Sequence, residues 1–273
     1  MSAAATGSTG TEERDGERVF VKRHPSPPHR LLEFEAVGLR ALADAGARVP
    51  RVLHLGGTEL VTTLVPGAGS GRPAAEGDFG RELAALHRTT RPAAPAMVDD
   101  AGVTGYGAVD GDPAGWLGAC EIDLTPCATW AESLLERRVL PLARRAVDEG
   151  ALDPAAVELA GRLGPEHLGP EEPPTLVHGD LWAGNRVVDG QGRSWLIDPS
   201  AHFGHREEDI AMMHLFVGFA RQEFAAYQED FPLAEGWRER LGTFQLVPLL
   251  VHALLFGGRY GDRAVQELRR AVG

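Results

Sequence analysis

The chain is poor in cysteine, in positive charge and in long apolar runs. Its 273 residues include two cysteines, Cys120 and Cys127. That is too few for a disulfide framework, so both read as ordinary thiols in a reducing compartment. Lysine and arginine number 27 against 39 acidic residues, a net charge of −12. This balance argues against nucleic acid as a partner, because phosphate backbones call for basic surfaces. It leaves amine-bearing ligands electrostatically welcome. The most apolar late stretch, Phe244–Phe256, is interrupted by Pro248 and His252. It is too short for a membrane span and reads as a buried helix. No basic segment followed by an apolar core opens the chain, so no signal peptide is read. The expected location is cytoplasmic, with no membrane partner. Length and a hydrophobic content of 43% suit one large domain or two lobes around a cleft.

What is present is one densely patterned stretch, Thr175–Ser200, TLVHGDLWAGNRVVDGQGRSWLIDPS. It reads as strand, loop, strand, turn, strand. Leu176 and Val177 lead in, and Asp180 and Asn185 follow with four residues between them. Val187 and Val188 make a second short strand. The turn Asp189–Gly192 carries two glycines, which suit positive φ at a hairpin. Trp195–Ile197 make the next strand, and Asp198 ends it. Phosphoryl transfer suits this pattern, because it needs an aligned nucleophile and cations over charged oxygens. A carboxylate at Asp180 accepts an acceptor's hydroxyl proton. The amide oxygen of Asn185 and the carboxylate of Asp198 share Mg²⁺, a hard cation that takes oxygen ligands. HGD, four residues and Asn match the kinase catalytic loop H-R-D-x-x-x-x-N, with Gly179 in the arginine position. The bland alternative is a polar hairpin whose Asp and Asn cap turns. HGD alone would not decide between them; HGDLWAGN, a hairpin and LIDP together are specific.

HGDLWAGN and LIDPSAHFGHREEDIAM together resemble the fructosamine kinase (ketosamine 3-kinase) family. That family lies within the aminoglycoside phosphotransferase and choline kinase group. The resemblance runs from about Val19 to the end and is densest over Thr175–Phe219. It implies an α+β, two-lobed, protein-kinase-like fold with a reduced N-terminal β lobe and a larger, mainly helical C-terminal lobe. It implies ATP and Mg²⁺ as cofactors, and a ketosamine acceptor, free or on a protein amine. Asp180 would be the catalytic base, Asn185 and Asp198 the metal ligands, and Asp209 a brace for the loop. VFVK resembles the kinase V-A-I-K strand and makes Lys22 the phosphate lysine, paired with Glu35 or, as fallback, Glu33. Thr63 and Val65 would offer backbone groups to adenine at the hinge. Trp182 either stacks on the sugar or locks the loop as a core residue. Two other functions stay open: phosphorylation of an aminoglycoside or other amino alcohol, and nucleotide binding with little turnover.

The expected organisation is an unstructured segment over 1–17, a nucleotide lobe over 18–66 and a catalytic lobe over 67–273. Before Val19 no pair of strands around a glycine-rich loop is recognisable; GSTG at Gly7–Gly10 has no apolar strand on its N-terminal side. The upper lobe therefore reads as truncated, or the chain as starting late. Apolar spacing predicts helices over Arg30–Ala45, Phe79–Arg88, Trp130–Glu149, Pro154–Leu163, Asp209–Ala226, Glu235–Leu241 and Asp262–Val272. Pro141 is expected to kink the third. His87 reads as a packing histidine, and His202 and His205 lack a third metal ligand of matching spacing. Arg91–Gly118 is hard to place. GYG at Gly105–Gly107 resembles a substrate-facing loop, but VDGDPAGWLGACEIDLTPC after it departs from the family pattern and leaves the acceptor open.

Overall fold

The computed structural model describes residues 7–67, 71, 73, 77–90 and 105–273. Four antiparallel strands form the upper sheet: β1 (Ser8–Arg14), β2 (Glu17–Arg23), β3 (Val52–Leu55) and β4 (Glu59–Thr63). Their spatial order is β1-β2-β4-β3. The expectation of an unstructured 1–17 fails at β1, which pairs with β2 from Ser8–Arg23 to Arg14–Glu17. An edge strand with almost no buried side chain carries no apolar alternation, so composition hides it. Its signal was Asp15-Gly16, whose φ values of 51° and 80° make the two-residue turn that hairpin twist favours. Ion pairs from Arg14 to Glu59, at 3.0 Å, and between Arg23 and Glu12 tie the strand sideways.

Helix α1 (Leu31–Asp44) lies between this sheet and the rest of the molecule. It is buried on two sides. Leu32, Ala36, Leu39 and Leu42 join one core, while Phe34 enters the main core of the lower lobe. Gly38 lets the helix lie on the segment after Asp198: a Cβ there would stand 3.0 Å from the Ala201 Cβ.

The lower lobe holds α2 (Asp78–Thr90), short strands β5 (Gly107–Ala108), β6 (Ala114–Leu117) and β7 (Cys120–Asp123), and a π-helical turn, Glu132–Val139, running into α3 (Leu140–Asp148). After α4 (Ala155–Gly161) come β8 (Thr175–Val177), β9 (Arg186–Val188), β10 (Ser194–Leu196) and β11 (His202–Gly204). Helices α5 (Glu207–Leu215), α6 (Arg221–Asp230), α7 (Leu241–Phe244), α8 (Leu246–Phe256) and α9 (Arg259–Val272) complete it. Strands β5, β11 and β8 form one small sheet, and β6–β7 and β9–β10 are hairpins. Both cysteines are free and buried. Among the described residues, no helix is long and apolar enough to cross a membrane.

Three helix expectations are corrected. Pro141 lies inside one continuous helix, and the irregularity falls before it, as the π-helical stretch Glu132–Val139 that runs into α3. The helix expected over Asp209–Ala226 is two helices, because Phe216 is extended (φ −119°, ψ 151°) and Gly218 adopts φ 134°. Of Glu235–Leu241, Glu235–Arg240 forms turns and Leu241 opens α7. There Arg240 donates to the Glu235 carbonyl at 2.8 Å while its guanidinium holds Glu207. These bonds give local carbonyls a side-chain partner in place of a helical one.

Helices α2 and α6 approach through Gly80, where a Cβ would stand 1.9 Å from the Glu223 carbonyl oxygen. Gly80→Ala should therefore lose about 1–3 kcal/mol by forcing the helices apart. Gly161→Ala, in α4 with nothing within 4 Å, should gain up to about 1 kcal/mol. Denaturant midpoints of the two variants check this; equal shifts of the same sign would refute it.

Candidate active site

Strand β8 delivers the chain to His178, and the loop after it is held from beneath by a buried carboxylate. Asp209, at the start of α5, accepts the amide N–H groups of His178 (2.8 Å) and Gly179 (2.9 Å). Its Oδ2 also lies 3.2 Å from His87 Nε2, and His87 Nδ1 lies 2.9 Å from the Tyr227 hydroxyl. A carboxylate only accepts, so His87 carries its proton on Nε2. Burial pushes the Asp209 pKa up, but His87 and the loop groups outweigh it and hold the carboxyl below its ordinary value. His178 is driven the other way, its pKa depressed mainly by burial. As a neutral ring it donates from Nε2 to the Ile197 carbonyl at 3.0 Å and accepts the Asp180 N–H at Nδ1, 3.3 Å away. Gly179 adopts φ 77°, and a Cβ there would fall 2.1 Å from the Ser200 carbonyl oxygen. Glycine replaces arginine in the motif because the following segment passes directly over it.

The loop then brings two expected residues together. Asn185 Nδ2 donates to Asp180 at both the backbone oxygen (2.9 Å) and Oδ2 (3.0 Å), and lies 3.5 Å from the Asp198 carbonyl oxygen. The Asp180 pKa is raised to about 7, first by burial and then by Asp198 and Asp209, against the Asn185 hydrogen bond. Asp198 follows β10 with φ 52°, a left-handed conformation that turns its carboxylate toward the upper lobe's ammonium. Lys22 Nζ, on β2, meets Asp198 Oδ1 at 2.9 Å and Glu35 Oε2, on α1, at 2.7 Å. Lys22 is the only lysine in the chain. Burial works against its charge, but Glu35 and Asp198 together raise its pKa. Glu35 is itself pushed up by burial, with Lys22 opposing. Glu33 is exposed and pairs with Arg30 at 3.4 Å, so Glu35 is the partner of Lys22.

The donor set suits a hard divalent cation. The amide nitrogen of Asn185 is committed to Asp180, so Oδ1 is what the side chain has left to offer. Asp198 adds a half-exposed carboxylate. Two oxygen donors fit Mg²⁺ better than a softer metal.

Thr63 and Val65 line a cavity with Phe20, Glu35, Leu39, Pro50, Val187 and Asp198. The N–H of Thr63 already donates to the Arg51 carbonyl (2.9 Å), and its hydroxyl accepts the Arg51 N–H (3.0 Å). Trp182 is 40% exposed, so it is not the core residue that was its alternative reading. Its ring lies over Gly184, where a Cβ would stand 2.1 Å from it, and packs edge-on against Phe216 with centroids 6.0 Å apart.

Some features were missed from sequence. Asp189 anchors the hairpin turn by accepting the N–H groups of Gln191 and Arg193 at 2.9 Å and the Trp195 indole N–H at 2.9 Å. An Asp heading a Gly-x-Gly turn was the available signal. Only Gly192 of its two glycines has positive φ, 81°. Phe216 extends the Trp182 contact to His252, 5.4 Å between centroids; nothing in the sequence signals that meeting. His202 and His205 do not converge. His202 is bound among Ser200, Arg138 and Glu208. His205 stands near Glu172 and Glu207. Those carboxylates are gripped by Arg206 (2.7 Å) and Arg240 (2.6 Å), so they serve as ion pairs.

A model described as "Fructosamine kinase" matches residues 5–272. A relative from Enterococcus faecium named "Probable ketoamine kinase" is 33% identical over 258 residues, 91% of this chain and 86% of its own length. Ketosamine-3-kinase of Mus musculus is 27% identical over 298 residues, 98% of this chain and 95% of its own. A crystal structure from Thermobifida fusca, described as a fructosamine-3-kinase candidate, matches with a TM-score of 0.81 at 36% identity, over 98% of this chain and 93% of that one. The aminoglycoside phosphotransferase APH(4)-Ia matches at 0.58 and 17% identity, over 99% and 90%. That likeness establishes the shared protein-kinase-like fold alone.

Burial lowers the His205 pKa from 6.5 to about 4. Between those values the unfolded chain binds the proton and the folded chain does not. Stability should therefore fall as pH drops from about 6.5 to about 4, by up to about 3 kcal/mol from this group. Unfolding free energies of wild type and His205→Gln across that window check this: the variant's curve should be flatter. Parallel curves would contradict it.

Proposed function

The chain belongs to the fructosamine kinase family, and from that premise we propose that it transfers the γ-phosphoryl group of ATP to a sugar hydroxyl of a ketosamine. The supporting observation is one constellation: Lys22 tied to both Glu35 and Asp198, with Asp180 and Asn185 joined on the adjoining loop. The hydroxyl is the one on C3, in line with the name of the mouse relative. The acceptor is a ketosamine, free or attached to a protein amine.

Asp180 accepts the hydroxyl proton at a carboxylate oxygen. Its raised pKa makes it a stronger base than a solvated aspartate, and at neutral pH much of it is still ionised. Asn185 fixes the carboxylate's orientation through Nδ2. Lys22 places one positive charge where phosphate oxygens carry negative charge, and Glu35 keeps it there. Asn185 and Asp198 would hold Mg²⁺, which would supply positive charge over the transferring group. Adenine occupies the cavity beside Val65. Because the Thr63 N–H is spent on Arg51, Val65 is the better backbone donor. The exposed face of Trp182 receives the apolar C–H side of the sugar.

Mixing the protein with ATP, Mg²⁺ and fructosyl- or ribulosyl-lysine should release ADP. Asp180→Asn should slow release by about 10²–10⁴-fold. Turnover with an aminoglycoside and neither sugar would overturn the acceptor assignment. No release above the Asp180→Asn rate with any acceptor would overturn the activity.

A second check uses the single lysine. An amine-acylating reagent can modify only Lys22 and the chain's α-amine. Saturating Mg²⁺-ATP should protect Lys22 and leave the α-amine reactive, as read by peptide mass. Equal Lys22 labelling with and without nucleotide would contradict the phosphate role of Lys22.

A further inference from the structure

Helix α1 has to be held in register for Glu35 to meet Lys22, and its first residues show an unusual device. The residue before the helix is Arg30, with φ 59° and ψ 7° and no side-chain capping bond. Serine, aspartate or asparagine would cap the helix better, and a left-handed backbone is unfavourable for a long side chain. Such a residue persists when its surroundings over-determine it. Here the side chain is only 9% exposed, and its guanidinium meets two carboxylates from the other lobe. Asp110 pairs with NH2, and Asp112 lies 2.6 Å from NH1. Both aspartates sit just before β6. From the same hairpin, Trp116 donates its indole N–H to the His29 carbonyl at 3.0 Å. One turn further on, Phe34 is buried in the lower lobe's core together with Trp116 and Leu117. The start of α1 is thus fastened to the lower lobe by charge, by an indole hydrogen bond and by packing. Glu35 lies five residues past Arg30, about 7–8 Å along the helix.

We propose that Arg30 is a positioning residue: clamped by Asp110 and Asp112, it fixes α1 so that Glu35 holds Lys22 against Asp198. This rests on the kinase reading for its benefit, though the clamp's effect on Lys22 needs no acceptor to be seen. The β6–β7 hairpin, which sequence could not place, is then what keeps the nucleotide lysine aligned. The clamp acts through Glu35, so its loss matters only while Glu35 is present.

The test is amine acylation of Arg30→Gln, Asp110→Asn/Asp112→Asn, Glu35→Gln and Arg30→Gln/Glu35→Gln, with the α-amine as internal standard. Removing either side of the clamp should raise Lys22 labelling about three- to tenfold, because an amine no longer held between Glu35 and Asp198 is freer to meet the reagent. The combined Arg30→Gln/Glu35→Gln variant should label no faster than Glu35→Gln alone. In turnover, Arg30→Gln should raise the KM for ATP and lower kcat by about tenfold or more, as displaced groups do. The KM for the acceptor should stay within twofold. The aspartate double variant, which leaves the Arg30 backbone alone, covers the case in which Arg30→Gln fails to fold. Unchanged labelling in the aspartate variant, or labelling increases that multiply in the combined variant, would overturn the proposal. If no variant or wild type transfers phosphate yet the labelling pattern holds, the clamp stands and the kinase reading falls.

Discussion

One ammonium group joins three parts of the chain. Lys22 comes from the upper sheet, Glu35 from the helix between the lobes and Asp198 from the end of the catalytic hairpin, and the two contacts are 2.7 and 2.9 Å. Partly buried ion pairs are poor sources of stability, because desolvation cancels much of the attraction. The raised pKa of Glu35 is a sign of that cost. On the proposed function, an arrangement so expensive is preorganisation: positive charge is fixed in place before phosphate arrives, so little reorganisation remains for the reacting complex. Much of the rest of the fold serves this alignment. Gly38 lets α1 lie on the segment following Asp198, and the β6–β7 hairpin fastens the start of the same helix.

The catalytic loop is stiffened by a different principle. Asp209 is fully buried and accepts two consecutive loop amides, and His87, itself held by the Tyr227 hydroxyl, completes the shell around it. A carboxylate satisfied by that many donors stays ionised in the interior. Asp180, next to the Gly179 that Asp209 holds, has one side-chain donor and is pushed to about 7. The two aspartates thus divide the work by environment, one permanently charged and structural, the other near the midpoint of titration at neutral pH.

The stretch from HGDLWAGN to LIDP was legible because the phosphoryl transfer proposed for it demands particular residue types at particular spacings. Asp180, Asn185 and Asp198 fall together as HGDLWAGN and LIDP imply, and Lys22 with Glu35 follows from VFVK and the helix after it. What escaped the sequence was whatever has no apolar alternation or helical period to announce it. Strand β1 is polar throughout and exists through its ladder with β2. The β6–β7 hairpin lies in a glycine- and aspartate-rich run with little apolar periodicity. The break between α5 and α6 follows from an extended Phe216 and a left-handed Gly218 inside an otherwise helix-compatible pattern. The hinge depended on backbone bonds, so the engagement of Thr63 with Arg51 could not be read from side chains.

The account turns on where phosphate goes if Lys22, Asp180, Asn185 and Asp198 act together as proposed. Phosphorus and proton NMR of the product from ATP, Mg²⁺ and fructosyl-lysine measures that directly. A single new phosphomonoester, coupled to the proton on C3 of the sugar, is the predicted result. Inorganic phosphate alone, with the sugar unchanged, would contradict it.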